Sequence, residues 1–213
     1  MKAAKSIATL GRPRSFDADK ALDRALLVFW RKGFEGASLA DLTKAMGINR
    51  PSLYAAFGDK EALFRKVLDR YADGPARYVR EALQEPTARA VMERLLRGAA
   101  EISADRHSPR GCLMVQGALA CGQESEPIRR ELIARRAAGE AAVRRRFARA
   151  KAEGDLPADA NPAGLARYVV AVLHGMAVEA ASGASRPELR QIAEIALRVL
   201  PNPGSLPTLT RRR

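Results

Sequence analysis

Between Ser38 and Phe57 the chain holds residue types that suit recognition of a polyanion. Asn49, Arg50, Ser52 and Tyr54 stand with the small Ala55 and Ala56 at positions that a short helix can turn outward. An arginine can donate two parallel hydrogen bonds to a guanine edge in the DNA major groove, and small neighbours allow close approach to thymine methyls. Lys44, on the segment before, suits a backbone phosphate as well as it suits solvent. Further upstream, Arg12 and Arg14 flank Pro13, which stiffens the segment and keeps it out of a following helix. Two such guanidinium groups on an arm can reach phosphates or a minor groove. A plain helical hairpin would leave unexplained why one face is small, polar and basic at once.

The remaining reactive residues point to no catalyst. Cys112 and Cys121 share the chain with only His107 and His174, and their spacing fits no zinc pattern. No metal or cofactor is expected. Placed on one helix, thiols nine residues apart are separated by about 13 Å along the axis, too far to bridge. Buried, inert thiols are the default reading. A thiol enzyme pairing Cys112 with His107 is the rival, but no third orienting group or nucleophile-elbow motif supports it. The run Arg144-Arg145-Arg146 points three ways around a helix and reads as a solvated face.

The elements that must position these residues read as helices throughout. Of 213 residues, 47% are hydrophobic and 29% charged, which excludes wholesale disorder. Lys and Arg number 37 against 24 acids, a net charge of +13 that favours a polyanionic partner. No window approaches the ~18 apolar, uncharged residues of a spanning helix, and the first ten residues lack the apolar core of a secretion signal. No membrane partner and a cytoplasmic location are therefore expected. Asp17 can cap a helix through Lys32, closed by Gly33, with Leu22, Ala25, Leu26, Phe29 and Trp30 as its apolar stripe. Ser38 followed by Asp41 makes a capping box for a helix to Met46. Gly47 supplies a left-handed turn, and Asn49 caps a helix from Arg50 to Phe57. Leu39, Leu42, Ala45, Ile48, Leu53 and Phe57 are spaced to face inward. Asp59 caps a longer helix to Asp73, where Gly74-Pro75 breaks it. Later helices are expected over residues 87–104, 112–121, 125–153, 162–182 and 185–200, followed by a disordered basic tail over 201–213. This is the grammar of a helix-turn-helix followed by a larger helical unit.

The pattern Ser38-x3-Leu42-x2-Ala45-Met46-Gly47-Ile48-Asn49-x3-Leu53-Tyr54-x2-Phe57-x2-Lys60-Glu61-x-Leu63 resembles the N-terminal signature of the TetR/AcrR transcriptional regulators. The lead-in Arg12-Pro13-Arg14-Ser15-Phe16-Asp17 is similar to that family as well, and the likeness spans residues 15–65. Pro51 stands where glycine is common and Ala56 where an aromatic or histidine is common, departures that bear on base preference rather than fold. The resemblance implies an all-α protein. Residues 1–62 would form a three-helix DNA-binding domain with a basic arm, and 63–200 a helical effector-binding and dimerisation domain. It implies that the helix holding Arg50 is the recognition helix and that Tyr54 and Lys60 hold phosphates, with Ser38 an equivalent candidate. Lys60 also lies in a helix's first turn, where free amide hydrogens attract anions.

Beyond the signature the likeness is architectural. Gly111-Cys112-Leu113 and the stretch from Leu165 through Ala177 resemble a proteobacterial-type branch of the C-terminal domain. The family implication is a repressor, without enzyme activity, released from a palindromic double-stranded operator by a small-molecule effector. A constitutive DNA-binding protein without effector is the alternative. Candidate walls of an effector pocket are Met92, Leu96, Met114, Cys121, Tyr168, His174 and Met176. A homodimer is expected on the last two helices, through Val169 and Val172 on one and Leu189, Ile192, Ile195 and Val199 on the other.

Overall fold

The computed structural model describes residues 16–119 and 125–200, so the arm residues Arg12 and Arg14, Cys121 and the tail lie outside the described residues. Ten α-helices and no strand are found among those described: α1 Ala18–Gly36, α2 Leu39–Met46, α3 Arg50–Phe57, α4 Lys60–Asp73, α5 Arg77–Ala82, α6 Ala88–Ser103, α7 Leu113–Leu119, α8 Glu126–Ala152, α9 Pro162–Ala181 and α10 Arg186–Leu197.

Local chemistry sets the helix starts. Asp17 Oδ1 accepts hydrogen bonds from the Asp19 and Lys20 amides, both at 3.1 Å. Ser38 and Asp41 form the reciprocal capping box expected of them. Asn49 Oδ1 accepts from the Ser52 amide at 2.8 Å, and Asp59 Oδ1 from the Ala62 amide at 2.7 Å. Each bond satisfies a first-turn amide that has no partner within its helix. Gly47 closes α2 at φ 70°, ψ 32°, the left-handed conformation that favours glycine. Gly33, expected to end the first helix, instead kinks it at φ 70°, ψ −178°. The extra turn brings Phe34 into the core, stacked on Phe29 with ring centroids 6.3 Å apart.

Two cores result. The first joins α1 to α4 around Phe29, Leu42, Leu53, Leu63 and Phe64, and also takes in Leu113 of α7 and Ile128 and Leu132 of α8. The second joins α5, α6, α8, α9 and α10 around Leu95, Leu96, Phe147 and Met176. Each large apolar side chain so buried contributes roughly 1.5–3 kcal/mol. Of the residues expected to face inward, Leu42, Leu53 and Phe57 are buried, while Leu39, Ala45 and Ile48 are half-buried.

Several expectations are corrected by the packing. Arg146 is not solvated: it is 5% exposed, and its Nη2 donates to the carbonyls of Glu85 and Pro86 at 2.7 and 2.8 Å. Cys112 stands just before α7, which begins at Leu113, and the expected pairing of Cys112 with Cys121 on one helix falls outside the described residues. Val169 and Leu189 are fully buried inside the second core, so their side chains are unavailable to a partner subunit. Val172 and Ile192 are half-buried against the same core, whereas Ile195 and Val199 are 63% and 48% exposed. Among the described residues α9 alone is long and apolar enough to cross a membrane, although it carries Arg167 and Glu179 and packs on α6, α8 and α10.

Candidate nucleic-acid interface and the cavity behind it

The second and third helices are held as a rigid pair. Leu42 and Met46 anchor α2, Leu53 and Phe57 anchor α3, and Arg24 of α1 donates to the Met46 carbonyl at 3.4 Å. With its inner face committed, α3 leaves Asn49, Arg50, Pro51, Tyr54 and Ala55 exposed, with Ser52 half-buried. Ala56 departs from the outward face expected of it and packs against the first core. Lys44 is exposed at the end of α2. Arg50 and Lys44 form no ion pair among the described residues. That sets them apart from Arg65, Arg70, Arg80 and Arg94, each of which meets a carboxylate within 3 Å. Unpaired cations beside small polar side chains form a surface ready for phosphates and base edges.

Two phosphate candidates stand differently from the rest. Both donors of Ser38 are spent on Asp41 Oδ2, the hydroxyl at 2.7 Å and the amide at 3.2 Å. Asp41 also meets the Lys32 ammonium at 2.8 Å, so a carboxylate already occupies the α2 N-terminus. Lys60 sits half-buried with its ammonium 4.6 Å from the centre of the Phe34 ring. Burial lowers its pKa, and Glu35 opposes that shift. The ring fixes the ammonium at the start of α4.

From Lys60, α4 runs to Tyr71, which forms a wall of a cavity of about 340 Å³. Tyr71 packs edge to face with Trp30, ring centroids 4.9 Å apart, and its hydroxyl donates to Cys112 Sγ at 3.4 Å. The cavity is mostly apolar, bounded by Leu95, Ala99, Val115, Val143 and Leu173, with Arg80, Arg135, Arg136, Glu140 and His174 as its charged or titratable lining. Of the expected walls, Met114 and His174 line it. Met92, Leu96 and Met176 do not line it; their side chains pack within the second core. Tyr168 is half-buried against that core.

Sequence reasoning missed Tyr71, Tyr78, Cys112 and Arg136 as lining residues. One available signal was Gly98 inside α6. A Cβ there would lie 2.3 Å from Tyr78 Cδ2, so the glycine makes room for the ring. Burial raises the pKa of both phenols, with Cys112 adding to the effect. Burial lowers that of His174, Arg136 lowers it further, and Glu140 opposes both. His107 stands exposed and does not line this cavity, whereas Cys112 does.

A ladder of ion pairs connects α4 to the cavity wall. Arg65 meets Glu131 at 2.7 Å, Glu131 meets Arg135 at 2.9 Å, and Arg135 meets Asp69 at 2.7 Å. The helix that starts beside the exposed α3 face is thereby tied to a helix that lines the cavity.

Comparison with known proteins agrees with this geometry. Residues 21–67 match the profile described as bacterial regulatory proteins, tetR family, and residues 86–195 match the tetracyclin repressor-like C-terminal domain. The chain is 36% identical over 193 residues to the HTH-type transcriptional repressor ComR of Escherichia coli K12, covering 90% of this chain and 92% of that one. It is 38% identical over 109 residues to the repressor BdcR of the same organism, covering 50% of this chain and 55% of that one. Among solved structures, a cysteine mutant of the TetR family transcriptional regulator CifR, complexed with 26 bp of double-strand operator DNA, is 46% identical with a TM-score of 0.85. That match covers 89% of this chain and all of that one.

Proposed function

The chain belongs to the TetR family of bacterial transcriptional regulators, and on that premise we propose that it is a DNA-binding repressor released from an operator by a small molecule. The observation that carries the reading is the exposed α3 face, where Arg50 lacks a carboxylate partner while the inner face is locked by Leu53 and Phe57. Arg50, Asn49 and Ser52 read base edges; Tyr54, Lys44 and Lys60 hold phosphates; Arg12 and Arg14 extend the contact from the arm. Ser38 acts through the α2 cap rather than as a free donor. Relatives named repressors, and a similar structure holding operator DNA, support the sign of regulation and the partner.

One recognition helix spans only a few base pairs, so a homodimer reading a palindrome follows. Residues 1–62 serve as the reading unit and 63–200 as the sensing and pairing unit. The cavity favours an effector-responsive protein over a constitutive one. An effector need favour the DNA-incompetent arrangement by only about 1–3 kcal/mol, transmitted through α4. The test is selection of bound duplexes from a randomised DNA pool. The expected result is an inverted repeat bound by two chains; recovery of sequences without a common motif would overturn the reading.

A further inference from the structure

The cavity's charges are unequal, and their pairing narrows the choice of ligand. Three arginines line it against one carboxylate, Glu140. Arg80 is neutralised by Asp73 at 2.8 Å, and Arg135 by Asp69 and Glu131. Glu140 itself turns to Arg167 at 3.5 Å. Arg136 forms no ion pair among the described residues, although it is half-buried beside His174. A partly desolvated guanidinium without a counter-charge favours an anion, and charge-assisted bonds to a carboxylate are the strong ones. Apart from these charged groups and from Ser103 and Cys112, the walls are mainly aliphatic and aromatic. A volume of about 340 Å³ is at the small end of ligand pockets.

We propose that the cavity binds a small amphiphilic carboxylate, with its acid group on Arg136 and His174 and its apolar body against Leu95, Val143 and Leu173. The proposal deepens the effector reading above and rests on it for its regulatory meaning, while the binding site itself rests on the geometry. The occupant carries one acid head and a chain or ring of about six to eight carbons, in keeping with the small end of the pocket range.

Proton linkage adds a second signature. The charged groups facing His174 are Arg136 and Glu140 of α8; Ser103 of α6 and Met114 and Val115 of α7 carry none, and the Tyr71 and Tyr78 phenols stay protonated. Free His174 titrates below its ordinary value, chiefly through burial. A carboxylate beside it raises that value, so binding takes up a proton and strengthens as pH falls. An aliphatic acid stays ionised above roughly pH 5.5, which leaves the window from pH 7.5 to 6 clear.

The experiment is calorimetric titration of the full chain with sodium octanoate and with octan-1-ol, its neutral counterpart. Octanoate is expected to bind at least about tenfold tighter than the alcohol. Arg136→Gln should erase that preference without lowering Tm, since no ion pair is lost. Glu140→Gln should move affinity the other way, tightening octanoate. His174→Gln should flatten the rise in affinity between pH 7.5 and 6. Equal binding of acid and alcohol, no octanoate binding at millimolar concentration, or an unchanged preference in Arg136→Gln would each overturn the proposal. A separate gel-shift with the selected operator distinguishes the two readings. Octanoate that binds with the stated preferences but leaves DNA bound upholds the site and refutes its effector role. A protein that selects no DNA motif refutes the repressor reading, while the calorimetry still decides the carboxylate.

Discussion

Arg50 and Asp41 lie close in sequence, yet they do opposite work. Arg50 is exposed and unpaired, so its energy is realised only on a partner. If it pairs bidentately with guanine, Arg50→Ala should weaken binding to the selected operator by about 1–3 kcal/mol and leave binding to random DNA nearly unchanged. Equal loss on both, measured by gel-shift, would assign Arg50 to phosphate instead. Asp41 is internal to the fold: the Lys32 ammonium, then the Ser38 hydroxyl and amide, hold its pKa at about 2 instead of 3.8. The sign follows directly. A depressed carboxylate contributes stability above its unfolded value and loses it as pH falls through the folded one. Asp41→Asn should therefore melt below wild type at neutral pH, with the gap closing between pH 4 and 2. A gap that stays constant over that range would show that the charge of Asp41 is not what holds the cap. The capping role could be read from residue spacing alone, because Ser38 and Asp41 are three apart; the Lys32 pair could not, because it depends on how α1 crosses α2.

The same division between local and crossing information holds for whole elements. The starts of α1 to α4 were legible because each is fixed by a capping side chain within three residues of the amide it serves. The extension of α1 past Gly33 was not, because it depends on Phe34 finding Phe29 and Phe64 in the core. Arg146 reads as solvated in sequence and lies buried, because its partners are two carbonyls some sixty residues earlier in the chain. The cavity walls misled for a related reason: Met92, Leu96 and Met176 are apolar enough for either a wall or a core, and only packing decides. Two glycines test the element scale. At Gly47 any side chain must hold φ +70° and meet Arg24 Nη1 at 3.2 Å, so Gly47→Ala should cost about 1 kcal/mol and weaken operator binding by misaligning α3. Gly98→Ala places a methyl against the Tyr78 ring at 2.3 Å, and overpacking of this kind costs about 1–3 kcal/mol. Denaturant melts reporting no loss for Gly98→Ala would mean that Tyr78 can leave its place at little cost.

For the molecule as a whole, the open question is what covers the outer side of α9 and α10. Sequence periodicity marked both helices as apolar beyond one stripe, and the structure divides that excess. Val169 and Leu189 point into the subunit, while Val178, Ile195 and Val199 stand 43%, 63% and 48% exposed. Val178 on α9, Ile195 on α10 and Val199 in the turn just after it, with the small Ala181 and Ala171 also exposed, suit close packing against a second copy across a two-fold axis. That burial would also account for a helix apolar enough to cross a membrane in a chain whose other surfaces are strongly charged. Function asks for the same contact, since paired recognition helices are needed to read a palindrome. Wild type should sediment at twice the 23.1 kDa chain mass. Ile195→Arg should sediment as a monomer with its helical circular dichroism intact, and operator affinity should collapse while weak binding to random DNA persists. Leu189→Arg offers the contrast: a charge forced into the second core should unfold the domain rather than dissociate it. If Ile195→Arg stays dimeric and binds the operator as wild type does, the subunits meet on another face, and the exposure of Ile195 and Val199 has a different cause.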